Sequence, residues 1–405
     1  MKRRLLPMMM TLVLVCALPI WAAFVTSGDV TNPLVSTAWA TLPDLQAKID
    51  AAADNATITL DSNTEIAATL QITKNLTLDL NGCTLRMTGT GSVLKVSGRA
   101  TLTITDSSAA KSGTITGGNA EYGGGVYVDD YAALKMTGGC ITGCHASRGG
   151  GGIYSSGNLY MGGTAKIEKC TGSDDAIWNR ENSDIYADGG TVDGTVNNQG
   201  TIKRSEGAAA VTVFNGTVYN RSAGTIIAGI YNGTVENNGT ISGGTFCGGV
   251  TIRKGSWVWE RTGSISGGTF YSSIVNEAGP ERVTGVTFAV TFDRGDGTKT
   301  EPTPVKYNDL VPKPTAPTKS GYTFTGWEDA NGAYDFNTPV TGPLTLTAKW
   351  EKVPSSGGNY YYHPTTDTKA DDAKGSPKTV DPGVALYAAL SLLSLTGLTC
   401  TAKKR

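Results

Sequence analysis

The best-placed carboxylates in this sequence are Asp174, Asp175, Glu181, Asp184 and Asp188. Two carboxyl groups flanking a glycosidic bond can serve its hydrolysis. Asp174 and Asp175 with Arg180 could instead suit a lyase, which needs calcium-binding carboxylates beside a basic proton acceptor. No signature fixes either chemistry, and Asp174-Asp175 after Cys170 also reads as a solvated turn. His145 and His363 are the only histidines, so neither a Ser-His-Asp nor a Cys-His arrangement is composed. The same scarcity argues against zinc. No metal and no cofactor is expected.

Aromatic residues point to binding rather than catalysis. Val126-Tyr127, Ile153-Tyr154 and Ile177-Trp178 recur at similar places in successive repeats. Side chains alternate along a strand, so an inward Val126, Ile153 and Ile177 would turn Tyr127, Tyr154 and Trp178 outward. Stacked on successive strands, they would form an aromatic strip that Tyr186, after Ile185, extends. Such a strip suits sugar rings or a protein partner. The opposite register would bury the same rings inside. Trp257 and Trp259 share one face, where packing is a simpler role than binding, and Phe246 and Phe270 read as an internal ladder. Arg294-Gly295-Asp296 spells an integrin-type tripeptide, but a tight hairpin turn explains Gly and Asp there.

These residues need a repeating scaffold. Gly supplies 53 of 405 residues, and charged residues only 17%. That composition excludes a coiled coil and fits short strands with tight turns. Leu42, Leu45, Ile49 and Ala52 share a helical face and predict a capping helix. From Thr57 the pattern alternates with period two. Ile115, Ile141 and Ile167 then mark a repeat of about 25 residues, and Asn119, Cys144 and Cys170 are read as matching places within it. Ile-Ser-Gly-Gly-Thr-Phe occurs at Ile241 and again at Ile265. Units of this length cannot bury an apolar face alone, and stacking solves that. The fold class expected is all-β: a right-handed parallel β-helix of roughly ten coils, about 50 Å long. A β-sandwich is the alternative.

Both ends carry address signals. Lys2-Arg3-Arg4 and the uncharged run to Ala23 predict a signal peptide over 1–23. Residues 384–402 carry no charge and precede Lys403-Lys404-Arg405, which predicts a transmembrane helix with a cytoplasmic basic tail. Without these three basic residues at each end, 28 basic face 35 acidic residues, a net of −7. That charge disfavours nucleic acid as a partner. Of seven Cys, five lie in the body: Cys83, Cys140, Cys144, Cys170 and Cys247. An odd and sparse set is not a disulfide scaffold.

Three resemblances follow from these residues. Ser376-Pro377-Lys378-Thr379-Val380-Asp381, the apolar span and the basic tail together resemble the sorting signal of Gram-positive surface proteins. Pro377 and Thr379 match its Leu-Pro-x-Thr-Gly site, whereas Ser376 and Val380 depart from it. The resemblance implies a sortase as partner. The Gly-Thr repeats from Ala40 to Val286 resemble pectate-lyase-like β-helix segments of bacterial surface proteins. Gly321-Tyr322-Thr323-Phe324-Thr325-Gly326-Trp327 and Ala348-Lys349-Trp350 resemble the β-grasp repeat called the Listeria–Bacteroides repeat. The layout expected is signal 1–23, β-helix 41–288, β-grasp 289–352, linker 353–375 and sorting signal 376–405. The function expected is a non-enzymatic, surface-anchored adhesin that binds a host or neighbouring-cell glycan or protein. A polysaccharide lyase or hydrolase, and a plain stalk, are the alternatives.

Overall fold

The computed structural model describes residues 45–172, 175–255 and 262–354. Short strands follow one another around a triangular coil, and each pairs in parallel with its counterpart one coil away. One face runs from Ala56–Thr59 to Ser264–Ile265, the second from Thr64–Ile66 to Thr269–Phe270. The third runs from Leu70–Ile72 to Ile274–Asn276 and is a ten-stranded sheet, so ten coils stack. Strands Asn158–Glu168 and Asp184–Asp193 are long enough to run through the first two faces without a break. The architecture is the parallel β-helix expected, and ten coils at ~4.8 Å give a rod of about 50 Å.

Period-two alternation explains the core. Leu76, Leu102, Leu134, Leu159, Ile185 and Ile202 stack in register along the first face. All six are buried. Along the second face, Ile115, Ile141 and Ile167 stack, then Val192 gives way to Phe214, Tyr231, Phe246 and Phe270. These rings lie 4.7–5.0 Å apart and nearly coplanar, which is the internal ladder expected for Phe246 and Phe270. Stacking at strand spacing satisfies both the ladder and the ring contact.

The repeat is less regular than its sequence period. Leu102 pairs with Leu134, thirty-two positions on, whereas Ile226 pairs with Ile241, fifteen on. Corners absorb the difference, because strand pairing fixes only the faces. One alignment needs correction: Asn119 pairs with His145, so Gly118 rather than Asn119 shares the place of Cys144 and Cys170. Gly118, Cys144 and Cys170 each lie three positions after the stacked Ile115, Ile141 and Ile167, whereas Asn119 lies four after.

Polar groups inside are paired. Asn179, Asn198, Asn220 and Asn237 form a buried ladder, each amide donating to the next carbonyl oxygen at 2.7–2.8 Å. At one corner the Asp106 carboxylate accepts backbone N–H bonds from Gly82, Gly113 and Ser108.

Helix Leu45–Ala51 closes one end, with Leu45 and Ile49 buried, as its spacing predicts. The other end is closed by the small domain. Its mixed sheet runs Thr303–Lys306, Thr287–Asp293, Leu344–Lys352, Tyr322–Asp329, Gly332–Ala333. Phe288 meets Phe270 edge-on at 6.4 Å, and Ile274 donates its N–H to the Thr341 carbonyl. Both open strand edges are therefore covered, which protects against edge-to-edge association. Trp327 is buried, whereas Phe324 and Trp350 are half-buried and meet edge-on.

Candidate ligand-binding face

The third face places Lys95, Tyr127, Tyr154, Trp178, Asn197 and Tyr219 in one outward row. Their neighbours Val126, Ile153 and Ile177 are fully buried, so the register turns the three aromatics away from the coil interior. Tyr127 and Tyr154 stack with centroids 5.0 Å apart, and Trp178 follows at 6.3 Å. The Lys95 ammonium lies 5.2 Å from the Tyr127 ring centre.

The row is not an open strip. Two corner strands, Asn119–Tyr122 and His145–Gly149, pair in parallel and form a small flap beside it. Tyr122 lies against Tyr154 at 4.9 Å and against Trp178 at 6.4 Å. Tyr154 is consequently 7% exposed. Gly149 permits this closeness, since a Cβ there would stand 1.8 Å from the Trp178 ring. The Trp178 indole N–H is buried without a hydrogen-bond partner among the described residues. Arg148 pairs with Glu121 at 2.9 Å and lies 6.0 Å from the Tyr122 ring centre.

Between flap and face runs a groove of about 590 Å³, lined by Ser92, Lys95, Asn119, Glu121, Tyr122 and Tyr127. It offers two rings, a cation, an acid, an amide and a hydroxyl. Burial lifts the Tyr127 phenol above its ordinary value. Tyr154, Asp129 and Asp130 add to that rise, and Arg180 opposes it. The phenol therefore stays a neutral donor and acceptor. Sequence reading found Tyr127, Tyr154 and Trp178 but missed Tyr122, which sits on a corner outside the repeat.

Tyr186 does not extend this row. It lies on the first face, stacked on Tyr160 at 4.2 Å with Lys203 4.8 Å from its ring. The sequence match failed because Ile185 follows Ile177 by only eight residues, past the corner at 180–183, so Ile185-Tyr186 opens the first face of the next coil. Lys203 is also held by Asp184 at 2.7 Å, which accounts for one acid of the proposed cluster.

The remaining acids diverge too. Asp175 is 3% exposed and accepts a bond from Asn197, contrary to the solvated turn expected. Arg180 is exposed at the opposite end of strand Ile177–Asn179. Five extended residues separate the two by roughly 15 Å, so Asp175 and Arg180 do not converge. Asp188 accepts bonds from the Ser205 N–H and hydroxyl. Among the described residues, no group of three His, Cys, Asp or Glu is arranged to hold a metal ion. Cys144 and Cys170 are buried free thiols.

Arg294-Gly295-Asp296 is exposed at a turn. Asp293 accepts the Gly295 N–H, Asp296 accepts the Thr298 N–H, and Trp350 donates to the Arg294 carbonyl. Asp174, Trp257 and Trp259 lie outside the described residues, as do the signal at 1–23, the sorting motif Ser376–Asp381 and the apolar span 384–402. Among the described residues no helix is long and apolar enough to cross a membrane.

The five-stranded domain that closes the rod carries the Gly-Tyr-x-Phe-x-Gly-Trp run on strand Tyr322–Asp329. Residues 288–349 match the Listeria-Bacteroides repeat domain. The chain is also 36% identical over 95 residues to internalin H of Listeria monocytogenes, covering 22% of this chain and 16% of that protein. It is 35% identical over 68 residues to a Gly-rich membrane protein of Evansella cellulosilytica, covering 16% and 8%. The chain thus spans less than a fifth of the length of these relatives. No solved structure matches.

Proposed function

We propose that this protein is a bacterial surface adhesin whose β-helix binds glycan through the third face. The observation that carries the reading is the outward row Tyr127, Tyr154, Trp178 with the groove that Tyr122 walls beside it. Aromatic rings receive the C–H face of a sugar, and Lys95, Glu121 and Asn119 supply donors and acceptors at the rim. The Listeria-Bacteroides repeat and the likeness to an internalin and a membrane protein support a surface address. In this reading the rod holds the face away from the cell, and the C-terminal segment with its sorting-type motif anchors it through sortase. A host protein in place of glycan fits the same relatives. The reading is non-enzymatic, because Asp175 and Arg180 stand apart.

The test is a glycan array with the full-length chain, read beside assays for new reducing ends and unsaturated products on the same polysaccharides. Saturable binding without turnover, weakened in Tyr127→Ala, is expected. Product formation would replace the adhesin with an enzyme.

A further inference from the structure

The strands of the third face end in corners, and one corner is lower than its neighbours. Tyr131 stands on the corner after Val126–Val128, and Arg180 and Glu181 on the corner after Ile177–Asn179. Between them the chain turns at Ser156-Gly157. A Cβ on Gly157 would lie 2.0 Å from the Ala132 carbonyl oxygen, so only glycine lets the chain pass this close. The result is a notch of about 470 Å³, lined by Asp130, Tyr131, Ser156, Asn158, Arg180 and Glu181.

Tyr131 is the unusual member. It is 83% exposed and sits in the left-handed region at φ 62°. The same turn recurs at the matching corners, where Arg99 and Asn182 have φ 66° and 64°, so the fold imposes that backbone and the exposed ring is what is particular to this corner. The Arg99 guanidinium lies 5.8 Å from its ring centre and comes from the preceding corner, on the side away from the notch. The Tyr131 ring is thus open to contact on the side that lines the notch.

The remaining lining defines the chemistry. Arg180 and Asn158 donate, Asp130 and Glu181 accept, and Ser156 does both. A sugar ring matches that mixture, with hydroxyls that donate and accept around an apolar C–H face for Tyr131. One cation stands against two carboxylates, so a carboxylated or sulfated sugar is disfavoured by charge.

We infer that the notch is a subsite for a neutral sugar ring, and that it continues the groove at the other end of the same strands. The charges of Asp130 and Arg180 are felt at Tyr127, which places the two sites within one electrostatic neighbourhood. An oligosaccharide lying along the strand direction would reach both. This inference rests on the glycan reading of the face.

Isothermal titration of the full-length chain tests it. The probes are linear neutral gluco-, manno- and galacto-oligosaccharides of one to six units, with matching uronic-acid oligomers. The variants are Tyr131→Asn, which tolerates the left-handed backbone, and Tyr131→Phe, which keeps the ring. Affinity for the longest neutral oligomers is expected to fall about tenfold in Tyr131→Asn. It should recover in Tyr131→Phe, while shorter oligomers are unaffected. Equal affinity of Tyr131→Asn and the parent for the longest oligomers overturns the subsite, and so does a preference for the uronic series. If Tyr127→Ala abolishes binding while Tyr131→Asn changes nothing, the groove stands and the notch falls. No binding by either series overturns both.

Discussion

Tyr122 rests on Tyr154 with ring centroids 4.9 Å apart, although the first belongs to a corner flap and the second to the β-helix wall. That contact converts an outward aromatic row into one side of a groove. Tyr154 is thereby covered, and Tyr127 and Tyr122 are the rings that line the groove.

Tyr122→Ala should therefore open the groove and uncover Tyr154. The expected result is a loss of glycan affinity of about tenfold, with a stability cost of about 1 kcal/mol from the lost ring contacts. Titration and thermal unfolding measure the two effects separately. Unchanged affinity would remove the flap from the site.

Trp178 separates packing from hydrogen bonding. Its indole N–H has no partner among the described residues, so Trp178→Phe should cost less than about 1.5 kcal/mol. Trp178→Ala removes the ring that fills the space against Gly149 and Tyr122. It should cost about 3 kcal/mol. Urea unfolding of the two variants checks the order, and equal losses would contradict it.

The rod was largely readable, for a physical reason. Ile115, Ile141 and Ile167 repeat because stacked coils present the same inward place again and again. The outward turn of Tyr127, Tyr154 and Trp178 followed from the same alternation. Corners obey no such rule. Tyr122 and Tyr131 sit on corners of differing length, and nothing in the period identified them. Ile185-Tyr186 looks like Ile177-Trp178 but lies past the corner at 180–183, on the first face of the next coil. The asparagine ladder went unnoticed, although Ile177-Trp-Asn179, Val196-Asn-Asn198, Val218-Tyr-Asn220 and Val235-Glu-Asn237 share one pattern. A polar residue recurring two places after an inward aliphatic is inward too, and can persist there only if paired with its copies.

That ladder carries its own expectation. Asn198 both accepts from Asn179 and donates to Asn220. Asn198→Ala leaves buried amide groups short of partners on both sides, so a loss of about 2–3 kcal/mol is expected in chemical denaturation. A change under about 0.5 kcal/mol would show that the ladder is dispensable.

Acid should loosen the corner held by Asp106. Burial alone would raise its carboxyl, but hydrogen bonds from Ser108, Gly113 and Gly82 outweigh this and hold it below the ordinary value. Asp79 is lowered in the same way: burial raises it, and bonds from Ser107 and Asn81 more than compensate. A lowered folded value means that the unfolded chain binds the proton more readily. The stabilisation is therefore complete above the unfolded carboxylate value and is lost as pH falls through the lower, folded one. Urea midpoints measured from neutral to strongly acidic pH should decline across that window. Asp106→Asn should be less stable at neutral pH and show a shallower decline. An unchanged acid limb would remove Asp106 as its cause.

The central claim is that the third face binds glycan. Its most direct test is equilibrium titration of the strongest array ligand into the full-length chain, the Tyr127→Ala variant and a Tyr186→Ala control from the first face. Saturable binding that falls at least about tenfold in Tyr127→Ala and persists in Tyr186→Ala is the result predicted. Binding that survives Tyr127→Ala and is lost in Tyr186→Ala would contradict the account and move the site to the first face.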